Sequence, residues 1–91
     1  MSTRDRINDY AETMDKEMLL LEPPEFDEAI LGVTCRADGL TVVAYDYMTC
    51  IEILMRNGME RDDAEEFMEF NTVSAWLGEG TPIFIDQRLA E

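Results

Sequence analysis

Residues 40–58, LTVVAYDYMTCIEILMRNG, hold a strand pattern followed directly by a helix pattern, and this unit decides the fold. Small, β-branched and aromatic residues run as far as Tyr45, which is typical of a strand. Asp46 can cap a helix by accepting a hydrogen bond from a backbone N–H of the first turn. Asn57-Gly58 suits the left-handed backbone that ends many helices. We therefore predict a strand over 40–45 and a helix over 46–57.

The apolar residues of this predicted helix recur every three or four positions, which indicates one buried stripe. The stripe consists of Tyr47, Cys50, Ile51, Leu54 and Met55. Met48 and Ile53 lie outside the stripe, so we expect the helix to be covered on more than one side.

The residues before this unit predict an N-terminal helix and a β-hairpin. Residues 1–22 form an amphipathic acidic pattern that ends at Pro23-Pro24, because proline disfavours helical backbone before it and lacks an N–H. We expect 23–28 to be an extended connector anchored by Phe26. Residues 29–36, AILGVTCR, then pair antiparallel with 40–45 through a turn in which Gly39 adopts positive φ.

The residues after the unit predict a further helix and a short sheet strand. Residues 60–71, ERDDAEEFMEFN, show helical spacing, and 72–77 is either a strand or a continuation of that helix. A strand over 82–86 and a frayed tail over 87–91 complete the chain. The predicted fold class is α+β: an N-terminal helix, a β-hairpin, two consecutive helices and one or two short C-terminal strands. The helices should lie on one face of a small antiparallel sheet within a single domain, whose core spans 29–86.

Charge narrows the classes of ligand. The chain has 91 residues, with 21 acidic side chains against 7 basic ones and a net charge of −14. Such a balance argues against direct binding of nucleic acid or acidic lipid and favours a protein partner with a basic surface. No apolar stretch resembles a signal sequence or a membrane span, and the two cysteines show no disulfide pattern. We expect a cytoplasmic protein.

The stretch 45–86 carries a family resemblance. Its segments Tyr45-Asp46-Tyr47, CIEILM (50–55), Gly58-Met59, Glu69-Phe70-Asn71, Gly78-Glu79 and PIF (82–84) resemble a family of small, uncharacterised acidic bacteriophage proteins. The resemblance covers residues 28–86 and leaves the N-terminal acidic helix outside. It implies a viral origin and expression in the cytoplasm of a bacterial host, and it assigns no activity or site residue.

Residues that could support enzyme chemistry are scarce. The chain has no histidine, no recognisable nucleophile motif and no phosphate-binding loop. Cys35 and Cys50 lie on apolar patterns, so we interpret both as core residues rather than reactive thiols. Adjacent carboxylates are expected in a chain this acidic. They therefore favour a solvated surface over an acid–base pair or a metal site. We therefore predict a protein without enzymatic activity, cofactor or metal.

The acidic faces offer the more specific hypothesis. On a helix, carboxylates three or four residues apart lie roughly 5–6 Å apart at Cβ. This distance is similar to the spacing of phosphates along a nucleic acid. Such a helix can therefore imitate nucleic acid toward a protein that binds DNA or RNA. The simpler interpretation is a solvated face that maintains solubility. The candidate partner-binding residues are Asp62, Glu65, Glu66 and Glu69 on the later helix, Asp9 and Glu12 on the N-terminal helix, and Trp76.

Two functions remain open from the sequence. The first is a non-enzymatic phage accessory protein that binds a host or phage protein, acting as a nucleic-acid mimic against a defence or nucleic-acid-processing complex. The alternative is a self-assembling module that buries apolar surface, including Phe70 and Trp76, in a homo-oligomer. Trp76 itself serves either as core or as a partner anchor.

Overall fold

The computed structural model describes residues 2–15, 18–21, 24–36, 39–69 and 80–89. Helix α1 (Thr3–Thr13) precedes a 3-10 helix (Pro24–Ala29) and the strands β1 (Ile30–Cys35) and β2 (Thr41–Asp46). Helices α2 (Tyr47–Arg56) and α3 (Arg61–Met68) follow, then strand β3 (Ile83–Ile85) and a second 3-10 helix (Gln87–Leu89). The α+β class and this order of elements confirm the prediction.

The strand–helix unit matches its sequence pattern closely. The Asp46 carboxylate accepts a hydrogen bond from Thr49 N–H at 3.1 Å and caps α2. At the other end, Gly58 has φ +107° and donates to the Met55 carbonyl, while Met59 N–H donates to the Leu54 carbonyl. These two bonds form a Schellman motif, which glycine allows because it has no Cβ to clash at positive φ.

The buried stripe of α2 is largely as predicted. Tyr47, Cys50, Ile51 and Leu54 are buried, whereas Met55 is 42% exposed. Ile53, outside the stripe, is completely buried. The helix is therefore covered on more than one side, as predicted.

In the described part of the chain, three strands form a mixed sheet in the order β1-β2-β3. β1 pairs antiparallel with β2 through the predicted hairpin, and Gly39 has φ +87° at the turn. The expectation of an all-antiparallel sheet is wrong, because β3 pairs parallel to β2, with Tyr45 opposite Phe84. The rings of this pair stack with centroids 5.8 Å apart. A parallel pair needs a long crossover, which α2, α3 and the segment before residue 80 supply.

One core holds the elements together. Buried residues of α1, α2 and α3 cluster with Val43 and Tyr45, which share one face of β2. Val42 and Ala44 belong to the opposite face and are buried as well. The helices thus lie on one face of the sheet, as predicted, while β2 is buried on both faces.

The N-terminal helix is shorter than predicted but docks on the domain. It ends at Thr13 instead of residue 22, and Asp15 takes a left-handed φ of +53°. Beyond this turn, Leu19 N–H donates to the Gly80 carbonyl, and Leu21 N–H donates to the Tyr45 hydroxyl. Tertiary hydrogen bonds therefore replace the helical ones that the apolar spacing had suggested.

The connector, the tail and one cysteine also differ from expectation. Residues 24–29 form a 3-10 helix instead of an extended connector, although Phe26 anchors it as predicted, with 5% exposure. Arg4 joins α1 to this segment by pairing with the Asp27 carboxylate at 2.9 Å. Residues 87–89 form a 3-10 helix where a frayed tail was expected. Cys35 is exposed instead of buried, because the hairpin register turns Leu31, Val33 and Cys35 outward.

Candidate partner-binding surface

Helix α3 presents one apolar and one acidic side. Ala64 and Met68 are completely buried, and α3 packs mainly against α2. Asp62, Glu66 and Glu69 are exposed and Glu65 is partly exposed. The structure therefore places these four predicted carboxylates on a single short helix that is fixed by its buried side.

Two of these four carboxylates also have partners within the chain. Glu65 accepts a hydrogen bond from Arg61, one turn earlier, at 3.1 Å. Glu69 accepts a hydrogen bond from the Tyr47 hydroxyl at 3.2 Å. With six acidic residues and one arginine over 60–69, α3 keeps a large excess of negative charge after the Arg61–Glu65 pair is counted.

The candidate residues of α1 are exposed too. Asp9 and Glu12 are exposed on the helix that buries Ile7 in the core. They place further negative charge on a second helix. Trp76 lies outside the described residues, as do Phe70 and the segment 72–77.

Arginine–carboxylate pairs lie mostly at the joints between elements. Beyond Arg4–Asp27, Arg56 pairs with Glu28 at 3.2 Å and so joins α2 to the first 3-10 helix. The pair of Arg88 and Asp86 closes the end of β3. These pairs use basic side chains to hold the fold, which leaves few cations in the described residues to neutralise the carboxylates of α1 and α3.

A cleft that the sequence did not reveal lies beside α3. It measures about 170 Å³ and is lined by Tyr47, Glu69, Phe84, Asp86 and Arg88. These residues come from α2, the end of α3, β3 and the second 3-10 helix. No sequence signal marked the cleft, because the parallel pairing of β3 is what brings Phe84 and Asp86 to the start of α2.

The titration behaviour of the cleft reflects its charge. Burial raises the pKa of Tyr47, and the neighbouring Glu69 carboxylate raises it further, whereas Arg88 opposes that rise. Hydrogen bonds from Arg88 lower the pKa of Asp86 to about 2. The Arg88 guanidinium also stands over the Tyr47 ring, 5.9 Å from its centroid. The cleft therefore already accommodates a guanidinium between an aromatic ring and a carboxylate.

Cys50 lies in the core, as predicted. Burial raises the pKa of the Cys50 thiol from 9.0 to about 12, so this thiol stays protonated at neutral pH. Over the described ranges, no three cysteine, aspartate or glutamate side chains come together as a metal-binding group. None of the helices in those ranges is long and apolar enough to cross a membrane.

Comparison of the chain with protein-family models, with curated proteins and with solved structures yields no match.

Proposed function

We propose that this chain is a non-enzymatic phage accessory protein whose acidic surface binds a host or phage protein with a basic surface. The observation that supports this proposal is the arrangement of α3, where Asp62, Glu66 and Glu69 are exposed while Ala64 and Met68 fix the helix in the core. A row of carboxylates on a fixed helix presents a constant charge pattern, and long-range attraction steers a basic partner toward it.

Mimicry of nucleic acid is the specific form of this proposal. Carboxylates three or four residues apart on α3 lie roughly 5–6 Å apart at Cβ, and each bears one negative charge, as a phosphate does. A protein that binds DNA or RNA through lysines and arginines would meet a similar field on this helix. The proposed partner is therefore a nucleic-acid-processing or defence complex in the bacterial cytoplasm.

The acidic row adds little net stability to α3, because the favourable position of Asp62 in the first turn is opposed by repulsion between neighbouring carboxylates. Like charges three or four residues apart destabilise a helix by roughly 0.2–0.5 kcal/mol per pair, and the Arg61–Glu65 pair offsets only part of this repulsion. Neutral replacements of the row should therefore leave the fold intact, which makes a binding experiment with such a variant interpretable.

The test is a tagged pull-down from bacterial lysate with washes of rising salt. The expected result is capture of a nucleic-acid-binding protein that elutes as salt rises and is displaced by added DNA. A variant in which α3 loses four charges should lose this capture: Asp62→Asn, Glu65→Gln, Glu66→Gln and Glu69→Gln. A matched control removes four charges elsewhere and should retain it: Asp5→Asn, Asp15→Asn, Glu25→Gln and Glu52→Gln.

Capture that is unchanged in the α3 variant would contradict the proposal. Equal loss in both variants would show that total charge, rather than the row on α3, attracts the partner.

Self-assembly is the second candidate function, and it is favoured by the exposed apolar side chains of β1. Leu31 and Val33 are 48% and 43% exposed on β1, which forms one edge of the sheet in the described part of the chain. An edge strand with exposed apolar side chains can pair with another strand. This candidate predicts that light scattering gives a particle mass above that of the monomer and that this mass does not change with salt. The Val33→Lys variant should have the mass of the monomer.

A further inference from the structure

We propose that the cleft between Tyr47, Phe84, Glu69 and Asp86 is a binding site for an arginine side chain of the basic partner. This inference rests on the proposed function, since it names the partner group that the site would take. It concerns a surface different from the exposed row of α3, although Glu69 belongs to both.

The lining of the cleft has the chemistry that a guanidinium needs. Tyr47 and Phe84 supply aromatic surface, and a guanidinium binds over such a ring by cation–π attraction. Glu69 and Asp86 supply carboxylates, which accept two parallel hydrogen bonds from the planar guanidinium fork. A lysine ammonium lacks both the flat face and the fork, so arginine is favoured.

The chain itself demonstrates this mode of binding. Arg88 donates to both oxygens of Asp86 from its Nε, at 2.9 and 3.1 Å, while its guanidinium stands over the Tyr47 ring. Its side chain nevertheless remains 51% exposed, so it lies across the rim of the cleft and can be displaced. Arg88 therefore acts as a tethered competitor for the carboxylate and the ring that a partner arginine would use.

The charge of the cleft supports an incoming cation. Two carboxylates face one guanidinium there, and the negative charges of Glu69 and Glu65 contribute to the raised pKa of Tyr47. Because Tyr47 donates to Glu69 Oε1, the carboxylate is held at the wall of the cleft. A rigid carboxylate loses less conformational entropy when it accepts a ligand.

The volume and position of the cleft fit a single side chain. About 170 Å³ accommodates one side chain rather than a folded segment. The site begins where α3 ends, so a basic surface that lies along the acidic row can insert one arginine at the Glu69 end. The row would attract the partner, and the cleft would fix its orientation.

The experiment uses the purified chain and two small probes. N-acetyl-arginine amide and its uncharged isostere N-acetyl-citrulline amide are titrated while backbone and aromatic NMR signals are recorded. With the arginine probe we expect shifts confined to the residues that line the cleft: Tyr47, Glu69, Phe84, Asp86 and the displaced Arg88. The citrulline probe should bind at least about tenfold more weakly, because it lacks the charge-assisted hydrogen bonds.

Variants separate the cleft from general charge. Arg88→Ala should bind the arginine probe at least about threefold more tightly, because it removes a competitor held at high effective concentration. Glu69→Gln should weaken binding about threefold or more by removing the charge on the wall. Glu66→Gln, which removes the same charge one turn earlier and outside the lining, should leave binding unchanged.

Equal affinity for arginine and citrulline, or equal effects of Glu69→Gln and Glu66→Gln, would overturn the site. The lysate experiment decides the proposed function separately. Partner capture that depends on α3, combined with no binding of the arginine probe, would refute the cleft alone. Specific binding of the probe without any captured partner would refute the proposed function and leave the arginine site standing.

Discussion

The hydrogen bond between Leu21 N–H and the Tyr45 hydroxyl gives a sharp test of how the N-terminal segment is held. Tyr45 is completely buried, and its hydroxyl accepts this bond at 2.8 Å. Tyr45→Phe deletes the acceptor and keeps the ring that stacks on Phe84. The Leu21 amide then loses its partner, while the rest of the core retains its packing.

The expected cost follows from the burial of the two groups. An unsatisfied buried donor costs about 1–3 kcal/mol, and the partial burial of Leu21 lets water recover some of this, so we expect a loss of about 1–2 kcal/mol. For a domain of this size, each kcal/mol lowers the melting temperature by about 4–8 °C. Urea denaturation should show a lower midpoint with an unchanged slope.

A matched control and a local measurement make the reasoning refutable. Tyr10→Phe is the same chemical change at a side chain that is 39% exposed, so it should alter stability by less than about 0.5 kcal/mol. Hydrogen exchange in Tyr45→Phe should accelerate at the Leu21 amide more than at the amides of α2. If the two variants are equally stable, or if Leu21 exchange is unchanged, this bond does not hold the segment.

Three further predictions concern α2. Asp46→Ala should lower the free energy of unfolding, measured in urea, by about 1 kcal/mol because Thr49 N–H loses its cap. Asp46→Asn should retain most of this stabilisation, and equal losses in the two variants would argue against capping. Gly58→Ala should cost about 1–3 kcal/mol from strain at φ +107° alone, since an added Cβ meets no atom within 4 Å; a neutral result would refute this backbone argument. Burial raises the pKa of the Cys50 thiol from 9.0 to about 12, so the unfolded chain loses this proton at a lower pH than the folded chain. Between these two values the free energy of unfolding should fall by about 1.4 kcal/mol per pH unit. Below pH 9 this contribution to stability is fully present. In Cys50→Ala, urea denaturation at several alkaline pH values should lack this part of the fall in stability.

The features that the sequence predicted well are those whose causes are local. The caps of α2 depend on residues within one turn of each end, so Asp46 and Gly58 could be assigned from the sequence alone. The hairpin turn is equally local, and Gly39 takes the positive φ that its position predicted. The exposure of the α3 carboxylates also follows from helical spacing, which places Ala64 and Met68 on the other side.

The features that the sequence did not predict depend on distant contacts. A three-residue strand carries no signal of its direction, so the parallel pairing of β3 with β2 could not be derived from residues 83–85. Met18 and Leu21 continue the apolar spacing of α1, yet tertiary hydrogen bonds at Leu19 and Leu21 take that segment out of the helix. The outward position of Cys35 follows from strand register, which composition does not specify.

The candidate site divides in the same way. The acidic row on α3 could be named from its spacing, because one helix contains all of it. The cleft could not, because its lining residues come from three parts of the chain that are distant in sequence: Tyr47, Glu69 and residues 84–88. The sequence assigned Asp86 to the end of a strand and Arg88 to a frayed tail, and only the pairing of β3 with β2 places both beside Tyr47.

The parallel pairing of β3 has a consequence for the order in which the chain assembles. Ala44 and Ile83 meet across about forty intervening residues, whereas the hairpin and the α2–α3 pair close over short loops. The hairpin and the two helices can therefore form early, and we expect the addition of β3 to be the late and slow step. β3 also follows the hairpin and both helices in the chain, so it leaves the ribosome after them. Synthesis and assembly thus proceed in the same direction, and the cleft beside Tyr47 forms only when β3 docks against β2.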